Sequence, residues 1–312
     1  MKIARVLCVY RKSLYQIYVR EHQDRSVKQA LRRGDTVAQG MRESHEANEA
    51  ALREVEAELR RRGIEVVVRW RAHLRATKHF DLVISLGGDG TLLDTSHRVP
   101  DGPPLLGINS DPARSVGALC AGTVAELPAL LDGLRSGRLR PQRLTRLRVR
   151  VDGKEVLGPI LNDVLFAHAC PAGLSRFDLA VLPAELAEQS HSGHDGAEFR
   201  QYRGSGLWVS TAAGSTAAIR SAGGRPMAAG SRSLQFLVRE PYRPPSARGA
   251  AGGARVSPRG KVHAGEVLVL ISRMRQGTLW ADGAHRQLAL DYSQQVLLDG
   301  HPHDLLLVRP RG

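Results

Sequence analysis

Phe80-Asp81-Leu82-Val83-Ile84-Ser85-Leu86, followed at once by Gly87-Gly88-Asp89-Gly90-Thr91, is the stretch that decides the fold. The apolar run predicts a buried parallel strand, and the residues after it predict the start of a helix. Open α/β sheets bind their ligands at the carboxyl ends of strands. Glycines there let backbone N–H groups approach phosphate oxygens closely. We therefore predict a phosphate-binding loop formed by Gly87, Gly88, Gly90 and Thr91.

Asp89 stands inside this loop, where its negative charge repels phosphate. A carboxylate at such a position suits a general base that takes a proton from a hydroxyl group during phosphoryl transfer. The alternative interpretation is a tight glycine-rich turn in which Asp89 caps the following helix. The short motif taken alone leaves both interpretations open.

Strand and helix signals alternate along the first part of the chain, which predicts an α/β domain with a parallel sheet over residues 1–143. Thr123 and Glu126 form a capping-box signal at the start of one helix. Gly63 is predicted to stop another helix. The predicted strands cover 1–10, 64–70, 80–86 and 104–109, and the helical segments cover 21–32, 37–62 and 123–134.

The pattern changes near Pro141 to short strands separated by glycine and proline turns, which predicts a β-rich, largely antiparallel domain over 144–296. Asp152-Gly153 is a hairpin signal, and residues 241–260 are predicted to form an exposed loop. The last segment, 297–312, is expected to return to the first domain. Strands are predicted at 144–151, 160–167, 176–182, 206–210, 233–239, 266–273, 277–282 and 286–291.

Composition excludes several classes of protein. The 312 residues are 42% hydrophobic, which is enough for a core, and no apolar run is long enough to predict a membrane span. The net charge is +14, yet the arginines are scattered along the chain, so we expect no nucleic-acid partner. The first residues are too short an apolar run for a signal peptide. Cys8, Cys120 and Cys170 lack metal-binding spacing and are expected to be free thiols in a reducing cytoplasm.

Two further segments carry polar chemistry in the β-rich half. Asn162 and Asp163 interrupt the apolar strand Leu161-Asn162-Asp163-Val164-Leu165-Phe166, and their amide and carboxylate suit adenine edges and ribose hydroxyls. A β-bulge with locally bonded side chains is the alternative. The segment 204–224 reads as a strand, a glycine turn and a helix of small residues. Ser215 and Thr216 are expected to cap that helix or to donate to a ligand.

Together and in this order, GGDGT, the Asn162-Asp163 strand and the Thr211-Ala212-Ala213-Gly214-Ser215-Thr216-Ala217 helix resemble the NAD kinase family, over residues of about 80 to 230. The segment Asp111-Pro112-Ala113-Arg114-Ser115 resembles the branch with the mitochondrial-type and plant NADH kinases. The resemblance implies transfer of the γ-phosphoryl group of ATP, or of another donor, to the adenosine 2′-hydroxyl of NAD⁺ or NADH. It also implies a divalent cation, usually Mg²⁺, and a homodimer or homotetramer.

The resemblance also assigns roles residue by residue. Asp89 matches the general base, and Gly87, Gly88, Gly90 and Thr91 match the phosphate loop. The residues that match dinucleotide-binding positions are Asn162, Asp163, Thr216, Ala217 and Ser221. Two positions depart from the family pattern: Ser205 stands where many members carry Asp, and Ala218 stands where many carry Tyr.

Other interpretations remain open from the sequence. A lipid or sphingoid kinase shares the GGDGT loop, and the departures at Ser205 and Ala218 allow a non-catalytic NAD(H) sensor. We predict no metal site built by the protein alone. For His191, His194 and Asp195, a solvated loop is favoured over a metal site. Asp282-Gly283 resembles a family position, but we predict a hairpin turn there.

Overall fold

The computed structural model describes residues 1–75, 77–99, 102–189, 199–242 and 257–309. The chain divides into two compact units, one formed by Met1–Arg143 with Leu305–Gly312 and the other by Leu144–Asp304. The α/β fold predicted for the first part and the antiparallel β fold predicted for the second are both confirmed. The candidate metal residues His191, His194 and Asp195 lie outside the described residues.

The first unit is a seven-stranded, mostly parallel sheet with helices packed on it. Its strands are β1 (Arg5–Tyr10), β2 (Glu65–Trp70), β3 (Leu82–Leu86), β4 (Leu105–Asn109), β5 (Gly122–Thr123), β6 (Gln142–Leu144) and β19 (Leu305–Val308). Their order in the sheet is β2-β1-β3-β4-β19-β6, with β5 paired to β4. The helices are α1 (Arg25–Arg32), α2 (Thr36–Arg61), α3 (Asp89–Ser96) and α4 (Leu127–Ser136), with a π-helix at Gln16–Glu21 and 3₁₀ turns at Arg71–His73 and Val124–Glu126.

The structure confirms the predicted signal for the start of one helical segment and the predicted signal for the end of α2. Thr123 and Glu126 form the predicted capping box, so the helical segment begins where the sequence indicates. Gly63 follows the end of α2 with φ +68°, a left-handed conformation that glycine adopts at low cost. One face of α2 buries Ala51, Val55 and Leu59 against the sheet.

The second unit contains two six-stranded sheets whose inner faces pack together. Phe166 from one sheet meets Phe177 from the other edge to face, with ring centroids 5.5 Å apart. One sheet has β7 (Leu147–Val151), β8 (Lys154–Ile160), β10 (Ser175–Pro183), β11 (Arg200–Gly204), β15 (Glu266–Ser272) and β18 (Gln295–Gly300). The other has β9 (Asp163–His168), β12 (Gly206–Ser210), β13 (Leu234–Arg239), β14 (Arg259–Val262), β16 (Gly277–Ala281) and β17 (Gln287–Leu290). The short helices are α5 (Ala184–Gln189) and α6 (Ala218–Ser221), with a 3₁₀ turn at Ala213–Thr216.

Several predictions about the strands and their connections need correction. β11 and β18 are strands that the sequence did not predict, and the predicted strand at 160–167 is divided between β8 and β9. The predicted loop at 241–260 ends in strand β14, while residues 243–256 lie outside the described residues. The return to the first unit begins at Leu305 and not at 297, because β18 pairs with β15 and β7 of the second unit.

The cysteines are free, as expected. Burial raises the pKa of the Cys8 thiol to about 12, so this side chain behaves as a small apolar core residue. In the part of the chain that the structure describes, no helix combines the length and the apolar character needed to cross a membrane.

Candidate active site

The glycine loop joins the end of β3 to the start of α3, as the sequence predicts. Gly87 has φ +151°, and a Cβ atom there would collide with the Thr91 side chain. A Cβ atom on Gly88 would collide with the Ser115 hydroxyl. Gly90 has open space where a Cβ atom would stand. Gly87 is therefore required by its backbone conformation and its packing, and a side chain at Gly88 would have to displace the Ser115 hydroxyl. Gly90 leaves room beside the backbone for a ligand.

Asp89 does not cap helix α3, so the alternative interpretation of this residue is wrong. The N-cap residue of α3 is Gly88, so no side chain of the N-cap residue accepts a hydrogen bond from the first turn of the helix. Instead, the Asp89 carboxylate accepts hydrogen bonds from the backbone N–H groups of Ala118 (3.0 Å) and Leu119 (2.7 Å). Because both oxygens are held, the half-buried carboxylate has a fixed orientation and keeps its remaining lone pairs for another donor.

The loop that holds Asp89 is itself organised by Asn109 at the end of β4. The Asn109 side chain donates to Ser115 O (2.8 Å) and accepts from Asp111 N (3.2 Å). Gly117 has φ +63°, and a Cβ atom there would lie 2.6 Å from Asn109 Nδ2. The segment from Asp111 to Ser115, which resembles the mitochondrial-type and plant branch, therefore forms a folded loop that packs against the glycine loop.

A cavity of about 280 Å³ lies over the glycine loop. Arg11 and Asp111 line it, together with Arg114. Arg114 pairs with Glu43 and Asp111, whereas Arg11 has no ion pair in the described part of the chain. The remaining lining residues are Ser44, Asn48, Gly87, Gly88, Asp89, Gly90, Thr91, Asn109, Ser110 and Ser115.

The sequence did not predict Arg11, Ser44 and Asn48 as site residues. They come from the segment after β1 and from α2, about forty residues or more before the glycine loop. Nothing local marks them, because only the sheet order β2-β1-β3 brings the end of β1 beside the end of β3. The positions of Arg11 after β1 and of Ser110 after β4 fit the rule that parallel strands collect functional residues at their carboxyl ends.

Asn162 and Asp163 lie at the start of β9, and Asp282 holds the backbone beside them. The Asp282 carboxylate accepts from the N–H groups of Leu161 (2.8 Å), Asn162 (2.7 Å) and Asp163 (3.2 Å). Asp282 and Gly283 also have positive φ angles and form the predicted turn between β16 and β17. The turn prediction is thus confirmed, but it missed this contact with the candidate binding strand.

Asn162 and Asp163 place an unsatisfied amide oxygen and a buried carboxyl group side by side at the start of β9. Asn162 Oδ1 is buried and has no hydrogen-bond partner in the described part of the chain. Asp163 is buried, and burial, with a smaller contribution from the negative charge of Asp282, raises the pKa of its carboxyl group to about 7. A buried polar group without a partner is one that a bound ligand can satisfy.

The small-residue segment packs directly against the start of β9. Thr211 N donates to Asn162 O (2.9 Å), and Gly214 N donates to Thr211 Oγ1 (3.2 Å). A Cβ atom on Gly214 would collide with the Asn162 backbone. The structure therefore brings two of the three segments predicted from the sequence into contact within the second unit.

The predicted capping of the following helix is wrong. The N-cap of α6 is Ala217, which offers no side-chain hydrogen bond. The Ser215 hydroxyl is buried and donates to Ala212 O (2.7 Å), and it accepts from Met227 N (3.0 Å), so its role is internal. Thr216 and Ser221 are exposed, and Ala217 is half-buried.

The two departures from the family pattern lie at exposed positions. Ser205 lies between two glycines, and Cβ atoms on Gly204 and Gly206 would collide with backbone oxygens of Arg239 and Phe166. The glycines at this turn are thus required by packing, while the side chain of the middle residue is exposed. Ala218 is exposed at the first position of α6.

The residues of the loop cavity fit a cation held mainly by phosphate groups. Mg²⁺ in such sites takes one or two carboxylates and completes its shell with substrate phosphates and water. Asp111 Oδ2 is buried and has no hydrogen-bond partner in the described part of the chain, so a carboxylate oxygen is available at this cavity. Among the described residues, no cluster of three or more His, Cys, Asp or Glu side chains is placed to hold a metal alone.

Comparison with known proteins places the chain in a family. The model of the family described as "ATP-NAD kinase N-terminal domain" matches residues 1–134. A protein named "Probable NADH kinase" from Oryza sativa subsp. japonica is 34% identical over 247 residues, which are 74% of this chain and 72% of the rice protein. The chain belongs to the NAD kinase family.

Other members agree with this assignment. The NADH kinase of Arabidopsis thaliana is 41% identical over 183 residues, which cover 53% of this chain and 55% of that enzyme. The plant relatives bear out the predicted similarity to the plant NADH kinase branch. The crystal structure of an NAD kinase from Archaeoglobus fulgidus in complex with ATP has the same fold, with a TM-score of 0.64 and 19% identity over 96% of this chain and 92% of that one.

Proposed function

We propose that this NAD kinase family member transfers the γ-phosphoryl group of ATP to the adenosine 2′-hydroxyl of NAD⁺ or NADH. The observation that carries the proposal is the Asp89 carboxylate, fixed by two backbone N–H groups at a cavity lined by the glycine loop and Arg11. Membership of the family and the names of the plant relatives support the dinucleotide as acceptor.

The donor phosphates would bind at the glycine loop. The open space beside Gly90 lets a phosphate approach the backbone, and the N-terminal end of α3 favours negative charge. The Arg11 guanidinium has no ion pair in the described part of the chain, so it is available for a charge-assisted hydrogen bond to phosphate. Gly87 and Gly88 would set the backbone conformation of the loop, and the Thr91 side chain would pack against Gly87 rather than bind the ligand.

A divalent cation, which we take to be Mg²⁺, would neutralise charge on the transferred phosphoryl group. Asp111 would hold it together with the donor phosphates. The chain's own residues then have two tasks, which are positioning and proton transfer. Asp89 would accept the proton of the attacking hydroxyl group, and a positioned general base contributes about 10²–10⁴-fold in rate.

The dinucleotide would bind through Asn162, Asp163, Thr216, Ala217 and Ser221. Asn162 Oδ1 is an unsatisfied acceptor, so it suits an amino or hydroxyl donor of the adenosine. Thr216 and Ser221 expose hydroxyl groups on one short segment, and Ala217 between them leaves space. The raised pKa of the Asp163 carboxyl group lets this residue donate or accept a hydrogen bond near neutral pH.

The decisive experiment is a steady-state comparison of NAD⁺ and NADH with ATP and Mg²⁺, with inorganic polyphosphate as a second donor. We expect NADP⁺ or NADPH to form, and the ratio of the two rates gives the acceptor preference. Diacylglycerol in a parallel reaction tests the lipid kinase alternative. Tight binding of NAD(H) with no product from any donor or metal would instead identify a dinucleotide sensor.

The resemblance to the family also supports a homodimer or homotetramer, and the three free cysteines suit a reducing cytoplasm. Light scattering coupled to size-exclusion chromatography would measure the subunit number. A monomer at working concentrations that retains full activity would contradict the assembly without affecting the proposed reaction.

A further inference from the structure

A second cavity of about 960 Å³ lies on the face of the first sheet that α2 does not cover. Leu7 of β1 and Val67 of β2 are register partners and line it. Val6 and Cys8, which point to the opposite face of β1, pack into the core with α2. Within the described residues, this cavity shares no lining residue with the cavity over the glycine loop.

The cavity exists because the connection between β2 and β3 contains little regular structure. Parallel strands are usually joined by a crossover helix that covers the sheet. Here the described part of the connection has only the 3₁₀ turn Arg71–His73. Leu74 is buried and covers part of the sheet face, but the face near Leu7 and Val67 is left as a cavity wall.

The described lining is basic and contains no acidic side chain. Arg5 pairs with Glu65 outside the cavity, whereas Arg69, Arg75 and Arg98 have no ion pair in the described part of the chain. The six basic side chains come from β1, β2, the β2–β3 connection and the segment after α3. They are Arg5, Arg69, His73, Arg75, His79 and Arg98.

This arrangement concentrates positive potential in a concave site. Unpaired cations on low-dielectric walls focus the field and attract anions. Guanidinium groups suit phosphate in particular, because their N–H groups match two phosphate oxygens. Three unpaired guanidinium groups carry more charge than one phosphate group neutralises. The cluster could not be predicted from the sequence, because its members are separated along the chain by up to ninety-three positions, from Arg5 to Arg98.

We propose that this cavity binds a small anion that carries two or more linked phosphate groups. Single-stranded nucleic acid fits the site less well, since such binding relies on exposed aromatic surfaces for base stacking. Phe80 is the phenylalanine in the described lining. The Arg5 guanidinium lies over its ring, 5.1 Å from the ring centroid, and covers that face. The site is thus basic without a free stacking surface.

Isothermal titration calorimetry of the full chain with inorganic tripolyphosphate at low salt measures the binding affinity and tests the proposal. The variant Arg69→Gln/Arg98→Gln should bind at least about tenfold more weakly, because each lost guanidinium removes a charge-assisted hydrogen bond. The control Arg53→Gln/Arg60→Gln removes the same charge from exposed positions on α2 and should bind like the wild type. Arg11→Gln, in the glycine-loop cavity, should retain this binding event.

Several outcomes would overturn the assignment. Wild-type affinity in Arg69→Gln/Arg98→Gln, or complete loss of binding in Arg11→Gln, would place the anion elsewhere. Orthophosphate binding as tight as tripolyphosphate binding would remove the requirement for linked phosphates. Retention of a single-stranded oligonucleotide that depends on Arg69 and Arg98, without tripolyphosphate binding, would identify a nucleic-acid surface. The kinase assay is independent of all these results, so the proposed reaction can fail or succeed separately.

Discussion

The buried Asp163 side chain makes the stability of the second unit depend on pH. Its carboxyl group lies at the start of β9, and burial together with the nearby charge of Asp282 raises its pKa from 3.8 to about 7. Asp282 is committed to three backbone N–H groups, so its negative charge is held beside Asp163. The pair is costly for folding at high pH, which is consistent with a role for Asp163 in binding.

The sign of the effect on stability follows from proton uptake. Between about pH 4 and about pH 7 the folded Asp163 keeps its proton while the unfolded one loses it. Its contribution to the free energy of unfolding is therefore fully present below about pH 4 and is lost as the pH rises to about 7. Stability should fall by about 1.4 kcal/mol per pH unit from this group within that window.

Asp163→Asn removes this titration. Urea unfolding of both proteins from about pH 5 to about pH 8 gives the difference in free energy of unfolding at each pH. We expect that difference to change steadily up to about pH 7 and then to level off. The comparison cancels other carboxyl groups, such as Asp81, whose lowered pKa has the opposite effect. A difference that stays constant with pH would contradict the assignment.

At the scale of elements, sequence patterns predicted what local chemistry determines. The apolar run of β3, the capping box before α4 and the Asp152-Gly153 hairpin were all found where predicted, because each depends on neighbours in sequence. β11 was missed because Arg-Gln-Tyr-Arg-Gly is an edge strand that buries Tyr202 and little else. Its strand character comes from pairing with β10, which no local pattern shows.

The capping box is itself testable. Thr123→Ala removes the hydroxyl of a box in which Glu126 also binds the Thr123 backbone N–H (2.8 Å). We expect a loss of about 1 kcal/mol in the free energy of unfolding, because an N-terminal N–H group of the helical segment loses its acceptor. Thr123→Ser keeps the hydroxyl and should stay near the wild type in urea unfolding. Equal stability of the two variants would show that the box contributes little.

At the scale of the whole molecule, the first unit is built from two distant parts of the chain. β19 pairs in parallel with β4 and lies between β4 and β6 in the sheet, so the unit is complete only after the last strand is made. The sequence predicted a return of the C-terminal segment, since Leu305–Val308 is an apolar run. The sequence did not show which strand it would pair with, because pairing between distant segments depends on the assembled sheet.

Two neighbouring leucines in β19 provide a matched test of this closure. Leu307 is fully buried and pairs with Leu105, whereas Leu306 is partly exposed. Leu307→Ala should reduce the free energy of unfolding by about 2–5 kcal/mol, the range for a buried leucine that leaves a cavity. Leu306→Ala should cost clearly less in the same thermal or urea measurement. Equal losses would mean that β19 does not form part of the core.

The site illustrates the same division between local and distant information. Asp89 and the glycines were predicted because a strand, a glycine loop and a helix are adjacent in sequence. Arg11, Ser44 and Asn48 were not, because the sheet order alone brings them to the loop. Asp282 was assigned to its turn correctly, but its contact with residues 161–163 depends on the pairing of β16 with β9.

The most direct test of the proposed reaction is the turnover of Asp89→Asn with ATP, Mg²⁺ and the preferred dinucleotide. The variant keeps the size of the side chain, but it replaces one of the two oxygens that accept backbone N–H groups with an NH₂ group and cannot accept the hydroxyl proton. We therefore expect turnover to fall by at least about 10²–10⁴-fold. Dinucleotide affinity should be unchanged, and circular dichroism and thermal unfolding should show that the variant is folded. Turnover near that of the wild type in the folded variant would contradict the role of Asp89 and with it the central claim.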